Sequence, residues 1–143
     1  MRQITYLLLL ALCAGMSGCC TLCRTYQKQQ RPLVDTEWQL VQLNGRNLPS
    51  ESEGFTLHFT PAGEVQGVAA CNRLMGSFTT SKERTLKIGP LASTRRMCRD
   101  PHEGEFFEAL NRVTHYEMDG PMMMLLSEGS LLMILQSKSG NKE

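Results

Sequence analysis

The residues of this chain best suited to chemistry are its cysteines, of which there are six among 143 residues. Cys71 and Cys98 lie in the body of the sequence, and His102 follows Cys98 at a C-x-x-x-H spacing. Two thiolates and an imidazole are typical zinc ligands, but the sequence offers no evident fourth ligand, so a metal site is not predicted. The remaining possibilities for the two cysteines are a disulfide, two separate buried thiols or a reactive thiol.

No catalytic constellation accompanies these cysteines in the sequence. Nucleophile-elbow, P-loop and dinucleotide-binding fingerprints do not occur, and neither His58 nor His115 has a recognisable nucleophile beside it. Glu103, Glu105 and Glu108 are typical of a solvated helix face. The formal net charge is +1 and no basic stripe is present, which gives no argument for nucleic acid. We therefore expect a protein that is not an enzyme, has no cofactor and does not bind nucleic acid.

The N-terminus predicts export and a lipid anchor. Arg2 precedes an apolar run at residues 4–14, which is too short to span a bilayer. Residues 16–19, Met-Ser-Gly-Cys, resemble a bacterial lipobox, although leucine is more usual than methionine at its start. We expect residues 1–18 to be a signal peptide and Cys19 to carry the lipid, which would attach the protein to a membrane. A signal peptide cleaved nearby without lipidation is the alternative.

The residue after the predicted anchor is Cys20 rather than aspartate, which resembles the signal for sorting to the outer membrane. The predicted location is the periplasmic face of a bacterial outer membrane, an oxidising compartment. Cys20 and Cys23 would lie in a polar, basic tether at residues 19–33. A local disulfide or loose thiols are more usual in such a segment than a redox centre.

Strands are the main elements predicted around these cysteines, because several segments between residues 34 and 88 have a period of two. Apolar and polar residues alternate along several segments, which is typical of strands with one buried face. Gly67 lies inside one of these segments and indicates a bulge or a close approach of another backbone. The strand candidates before Cys98 are residues 34–43, 55–60, 64–70, 77–80 and 85–88.

One α-helix is predicted at about residues 101–113. Asp100 suits its N-cap, Pro101 its first position and Glu103 its capping box. Apolar residues spaced for one helix face follow. These residues are Phe106, Phe107, Leu110 and Val113.

Three short strands joined by tight turns are predicted after the helix, from His115 onward. The last two read MMMLL and LLMIL and are apolar on both faces, which predicts that both faces are covered. A curled sheet with the helix packed over its outside or end would provide that cover. The five methionines of residues 118–133 are typical core filler, although such side chains also line apolar pockets.

Three motifs, in this order across residues 36–136, resemble those of the META domain family, which includes the bacterial heat-shock protein HslJ. They are a W-x-L, a C-N-R-x-x-G and an S-T-R-x-x-C. Ala70 stands where the family usually has glycine, and Arg96 and Met97 stand where it usually has methionine and alanine. The motif positions are Trp38, Leu40, Cys71, Asn72, Arg73, Gly76, Thr94, Arg95 and Cys98.

The resemblance implies a mainly β fold, a small antiparallel β-barrel-like domain with one helix at residues 34–138, followed by a polar tail at residues 139–143. It implies no catalytic activity, because none is established for the family. It also makes Cys71 and Cys98 candidates for one disulfide, as the only cysteines of the domain. Arg96 should either extend its side chain into solvent or mark packing that differs from the family.

Asn72 suits a structural role beside a glycine-containing bend. Thr94 and Arg95 suit local hydrogen bonding or a surface site.

Three functions are compatible with these observations. The first is a non-catalytic envelope lipoprotein that supports envelope integrity or the stress response by binding another envelope protein or lipid. The alternative is a pilot-like lipoprotein that binds a secretin tail or lipid, by analogy of architecture. The third is a carrier that holds an apolar ligand inside the barrel, which requires an internal cavity.

Overall fold

The computed structural model describes residues 30–49, 54–97 and 100–138 of the chain. The predicted signal peptide, Cys19, Cys20, Cys23, Cys98 and the polar tail lie outside these residues. The described residues form ten strands and one helix, which confirms a mainly β fold with a single helix. The strands are β1 (Glu37–Leu43), β2 (Arg46–Asn47), β3 (Phe55–Phe59), β4 (Glu64–Ala69), β5 (Asn72–Thr80), β6 (Leu86–Ile88), β7 (Ala92–Ser93), β8 (His115–Asp119), β9 (Met122–Ser127) and β10 (Ser130–Ser137), and the helix is α1 (Glu103–Arg112).

The sheet curls into a nearly closed barrel. Eight strands follow the order β6-β5-β4-β3-β1-β10-β9-β8, while β2 pairs with β1 and β7 pairs with β5. The two ends of this order meet, because the Leu86 N–H donates to the Thr114 carbonyl at 2.9 Å. Beside it, the Tyr116 N–H donates to the Arg84 carbonyl at 3.0 Å. In a ring of eight strands, β3, β4 and β5 lie across the barrel from β8, β9 and β10.

Large apolar side chains fill the barrel interior. A bulge in β1 between Leu40 and Gln42 shifts the register against β10. Such a bulge changes which side chains face inward, which explains why Leu43 joins Trp38 and Leu40 in the core. The largest fully buried side chains are Trp38, Leu43, Phe55, Leu57, Phe59, Leu86, Phe106, Leu110, Met123, Leu125, Met133 and Leu135.

The helix begins at Glu103, two residues later than predicted. His102 takes the N-cap position without a side-chain cap, and Asp100 Oδ1 accepts a hydrogen bond from the His102 N–H at 2.8 Å. Phe106 packs edge to face on Phe55 with 5.2 Å between the ring centres. Because Phe55 begins β3, the helix covers one end of the barrel. No described helix is long and apolar enough to cross a membrane.

Gly67 permits a close approach between β3 and β4, as its place in a strand predicted. A Cβ atom at this position would lie 2.0 Å from the Thr56 carbonyl oxygen. Any other residue would therefore push the two strands apart. The hairpin depends on the absence of a side chain here.

The prediction that both faces of β9 and β10 are covered is wrong. Met123 and Leu125 point inward and are fully buried, whereas Leu131 is 41% exposed. Met124 and Ile134, a cross-strand pair on the outside, are half-buried. The reason is that α1, through Phe106 on Phe55, packs over the barrel end and not over these outward side chains.

Candidate functional site

The candidate site is built on the turn between β4 and β5. Ala69 pairs with Asn72, so only Ala70 and Cys71 connect the two strands. Ala70 has φ 56°, the left-handed region that glycine adopts without steric conflict. The glycine usual at this position of the META motif therefore has a conformational reason. The alanine keeps the same turn at a cost in free energy.

The Asn72 side chain is the centre of the site and is only 3% exposed. Its Oδ1 accepts hydrogen bonds from the Arg96 N–H at 2.6 Å and from the Thr94 hydroxyl at 3.0 Å. Its Nδ2 donates to the Arg96 carbonyl at 3.2 Å and to Glu103 Oε1 at 2.7 Å. One amide thus joins the hairpin, the segment after β7 and the first turn of α1. We call Asn72, Arg73, residues 94–96 and Glu103 the Asn72 cluster.

Hydrogen bonds between Arg73 and Thr94 also join β5 to the segment after β7. The Thr94 N–H donates to the Arg73 carbonyl, and the Arg73 N–H donates to the Thr94 hydroxyl, both at 3.0 Å. The Thr94 hydroxyl therefore joins segments that are 21 and 22 residues apart in the sequence. The side chains of Arg73, Arg95 and Arg96 are exposed. For Arg96, this shows that the departure from the family motif places an arginine in solvent.

The sulfur of Cys71 is disulfide-bonded in the structure. Cys98 lies outside the described residues, so its pairing with Cys71 stays a prediction. Lipidation of Cys19 stays a prediction for the same reason. Within the described ranges, no group of three or more His, Cys, Asp or Glu side chains is placed to hold a metal ion.

The remaining motif residues lie away from the Asn72 cluster and have structural surroundings. Trp38 and Leu40 are in the core, and Trp38 Nε1 donates to the Leu33 carbonyl at 3.1 Å. A Cβ atom at Gly76 would lie 2.9 Å from the Pro90 carbonyl oxygen, so glycine is needed for that close approach.

A shallow surface depression of about 480 Å³ adjoins the cluster, lined by Val68, Cys71, Arg73, Thr94 and Arg96. It shares Val68 and Arg73 with a depression of about 590 Å³ on the outer face of β3, β4 and β5. Arginines lie at one end of this surface. Asp35 and Glu37 lie at the other end of the larger depression. Such an arrangement suits binding of a partner with exposed charges rather than bond-making chemistry.

An ion pair is a second contact between α1 and the strands. Arg46 of β2 forms an ion pair with Glu105 of α1. The hydrogen bond from Arg46 lowers the pKa of the Glu105 carboxyl. Both side chains are exposed to solvent, so the pair orients the helix more than it stabilises the fold.

Sequence reasoning missed how Glu103 and Arg96 contribute to the site. The sequence predicts a capping box for Glu103, but its carboxylate accepts a hydrogen bond from Asn72. For Arg96 the sequence raises only the placement of its side chain, whereas its backbone N–H and carbonyl bind Asn72. An asparagine amide carries both donors and acceptors, which was the available signal for a backbone clamp. The partner segment, 24 residues away, could not be chosen from the sequence.

Comparison with solved structures supports the fold. An NMR structure of a protein from Burkholderia xenovorans is 30% identical, with a TM-score of 0.58, and the match covers 75% of this chain and 84% of that one. A crystal structure of a DUF4847 family protein from Bacteroides vulgatus is 19% identical, with a TM-score of 0.57, covering 77% and 96% of the two chains. No curated protein sequence matches this chain.

The family assignment rests on the sequence match as well as the barrel. The META domain family matches residues 31–139, which include every described strand and the helix. The residues carrying its second and third motifs meet at Asn72 in the structure. The chain belongs to the META domain family.

Proposed function

We propose that this protein is a non-catalytic lipoprotein of the bacterial envelope. Its META domain would bind another envelope component through the Asn72 cluster and the adjoining face of β3–β5, and so support envelope integrity or the stress response. The observation that carries this proposal is the junction at Asn72. A buried, fully bonded amide holds two motif segments together while three arginines beside it are exposed.

This geometry suits recognition of an anionic group. Guanidinium groups bind carboxylates and phosphates through paired hydrogen bonds. Binding is stronger when the scaffold that presents such groups is fixed beforehand, because less conformational freedom is lost on association. The Thr94 hydroxyl, which accepts from the Arg73 N–H, and Asn72 Oδ1, which accepts from the Arg96 N–H, fix the backbone at both arginines in this way.

The carrier hypothesis is not supported by the barrel interior. Aromatic, leucine and methionine side chains occupy it, and Trp38, Phe59 and Met133 are fully buried there. The depressions beside the Asn72 cluster lie on the outer surface of the sheet. We therefore place the proposed binding function on the outside of the barrel.

Metabolic labelling with palmitate tests the lipid anchor. The wild-type protein should incorporate the label, and Cys19→Ala should abolish it and leave the signal peptide uncleaved. Cys20→Ala is the matched control and should keep both the label and the mature size. A labelled, mature-sized Cys19→Ala protein in the outer-membrane fraction would contradict the proposal.

Affinity capture from mildly solubilised membranes tests the binding site. Wild-type protein and the control Lys87→Glu, an exposed charge reversal on β6, should recover the same envelope component. The double variant Arg73→Glu/Arg95→Glu should lose it. Equal recovery by all three proteins would exclude the Asn72 cluster as the site, and a secretin subunit as the captured component would favour the pilot-like alternative.

A further inference from the structure

The outer surface of β9 and β10 differs from that of an ordinary water-facing sheet. On these strands, Met123, Leu125, Met133 and Leu135 point into the core and are fully buried. Most of the side chains that alternate with them point outward and are also apolar, whereas Gln136, which pairs with Met122, is polar and exposed. The apolar residues, which we call the outer apolar face, are Met122, Met124, Leu126, Leu131 and Ile134.

The outer apolar face is continuous across the two strands. Met124 pairs with Ile134, and Leu126 pairs with Leu131. Leu131 is 41% exposed, and the other four are half-buried. An antiparallel sheet that faces water on one side normally carries polar residues there. This face therefore suits an apolar environment.

The chain joins the barrel beside the outer apolar face. The Arg31 N–H donates to the Gly120 carbonyl at 3.4 Å, in the turn from which β9 begins. Residues 19–30 separate the proposed lipid anchor from this point, a span of at most about 40 Å even when fully extended. The membrane that holds the anchor is thus within reach of the outer apolar face.

We propose that the outer apolar face lies against the lipid bilayer to which the chain is anchored. This inference rests on the lipidation of Cys19 in the proposed function. Five side chains of this size bind a membrane weakly by themselves. Attachment through a short tether makes the contact intramolecular and raises the effective concentration of the surface at the bilayer. The five side chains carry no charge, and the exposed His115, Glu117 and Asp119 of β8 pair with Leu126, Met124 and Met122 at the edge of the face. Apolar burial, rather than attraction to anionic lipid, therefore drives the contact.

This orientation also positions the Asn72 cluster. In the ring of eight strands, β4 lies across the barrel from β9. With the outer apolar face on lipid, the outer face of β3, β4 and β5 is directed away from the membrane. Arg73 and Arg95 would then be presented to a partner in the aqueous compartment.

Tryptophan fluorescence in vesicles tests the inference. The mature lipoprotein, which begins at Cys19, is reconstituted into vesicles of phosphatidylcholine and phosphatidylethanolamine. The acyl chains are either brominated or not, and bromine quenches tryptophans near the bilayer. Trp38, the native tryptophan, is fully buried in the core and gives a constant background. Leu131→Trp reports on the outer apolar face. Met75→Trp, at a 60% exposed position on the opposite side, is the matched control.

Brominated lipid should quench Leu131→Trp and leave Met75→Trp at the level of the wild type. Equal quenching of both variants, or of neither, in protein that floats with the vesicles would overturn the orientation and leave the anchor intact. A blue-shifted but unquenched Leu131→Trp would also overturn it, because the face would then be covered by protein, such as a second copy. Protein that does not float with the vesicles would overturn the proposed anchor and this inference together.

Discussion

Two opposite walls of the barrel share one interior but differ in how they are fixed. The wall formed by β3, β4 and β5 ends at the Asn72 cluster, where an amide makes four hydrogen bonds and the Cys71 sulfur is disulfide-bonded. The wall formed by β8, β9 and β10 has apolar side chains on both faces of β9. Its inward Met123 and Leu125 are fully buried.

The difference has a functional meaning. Hydrogen bonds and a disulfide are directional, so they hold exposed groups such as Arg73 in one arrangement. Apolar burial is not directional and depends mainly on area. A surface that recognises charged groups requires the first kind of fixation, and a surface that rests on lipid can use the second. The following predictions test this contrast, from the largest expected effect to the smallest.

Reduction should destabilise the β3–β5 wall if Cys71 is paired with Cys98. The bond would close a loop of 28 residues, which stabilises the fold by about 3.5 kcal/mol in the chain-entropy model. Chemical unfolding with and without reductant measures this difference. Cys71→Ser and Cys98→Ser should each unfold like the reduced wild type and be insensitive to reductant. Identical unfolding of oxidised and reduced wild type would disprove the pairing.

The β8–β10 wall should respond to the loss of inward apolar volume. Met123→Ala should reduce the free energy of unfolding by about 3 kcal/mol, because the fully buried side chain leaves a cavity. Its neighbour Met124 points outward and is half-buried. Met124→Ala should therefore reduce the free energy of unfolding by about 1 kcal/mol or less. Equal losses, measured by urea unfolding, would show that the outer face is as tightly packed as the core.

Asn72→Ala should weaken the β3–β5 wall without changing the core. The substitution leaves several polar partners without their amide, at an expected loss of about 2 kcal/mol. Asn111→Ala, at an exposed helix position, is the control and should be nearly neutral. Hydrogen exchange adds a local measurement, because the Arg96 N–H should lose protection in Asn72→Ala. Unchanged protection of that N–H would contradict the clamp.

Much of this fold could be predicted because its signals are local. The alternation of apolar and polar residues predicted the core side chains of β3, such as Phe55 and Phe59. A glycine inside a strand predicted the close approach of two backbones at Gly67. The helix was predicted at the right place, although its hydrogen-bonded turns begin at Glu103. The burial of Leu43 depends on a bulge, but its apolar character alone indicated the core.

The site was less predictable because its contacts join distant segments. The bonds of Asn72 to Arg96 and Glu103 span 24 and 31 residues, and no periodicity encodes them. The cover of the outer apolar face was also inferred incorrectly from composition. A doubly apolar strand such as β9 indicates that both faces avoid water, but not that the same chain covers both.

Ala70 offers the smallest and most local test of the β3–β5 wall. Its φ of 56° costs a non-glycine residue about 1–2 kcal/mol, and glycine adopts the same φ freely. Glycine also has more freedom in the unfolded chain, which offsets about 0.4–1 kcal/mol of this gain. Ala70→Gly should therefore stabilise the protein by about 0.5–1 kcal/mol.

The control for this substitution is Ala62→Gly, at an exposed turn position that is not among the residues with positive φ. It should destabilise the protein slightly, because only the unfolded-state term remains. Thermal unfolding of both variants and the wild type separates the relief of backbone strain from the greater freedom of glycine in the unfolded chain. If Ala70→Gly also destabilises the protein, the turn is not strained in solution, and the family's glycine at this position must serve a purpose other than relief of backbone strain. If it stabilises the fold but weakens partner capture, the alanine restricts the turn in a way that helps to present Arg73.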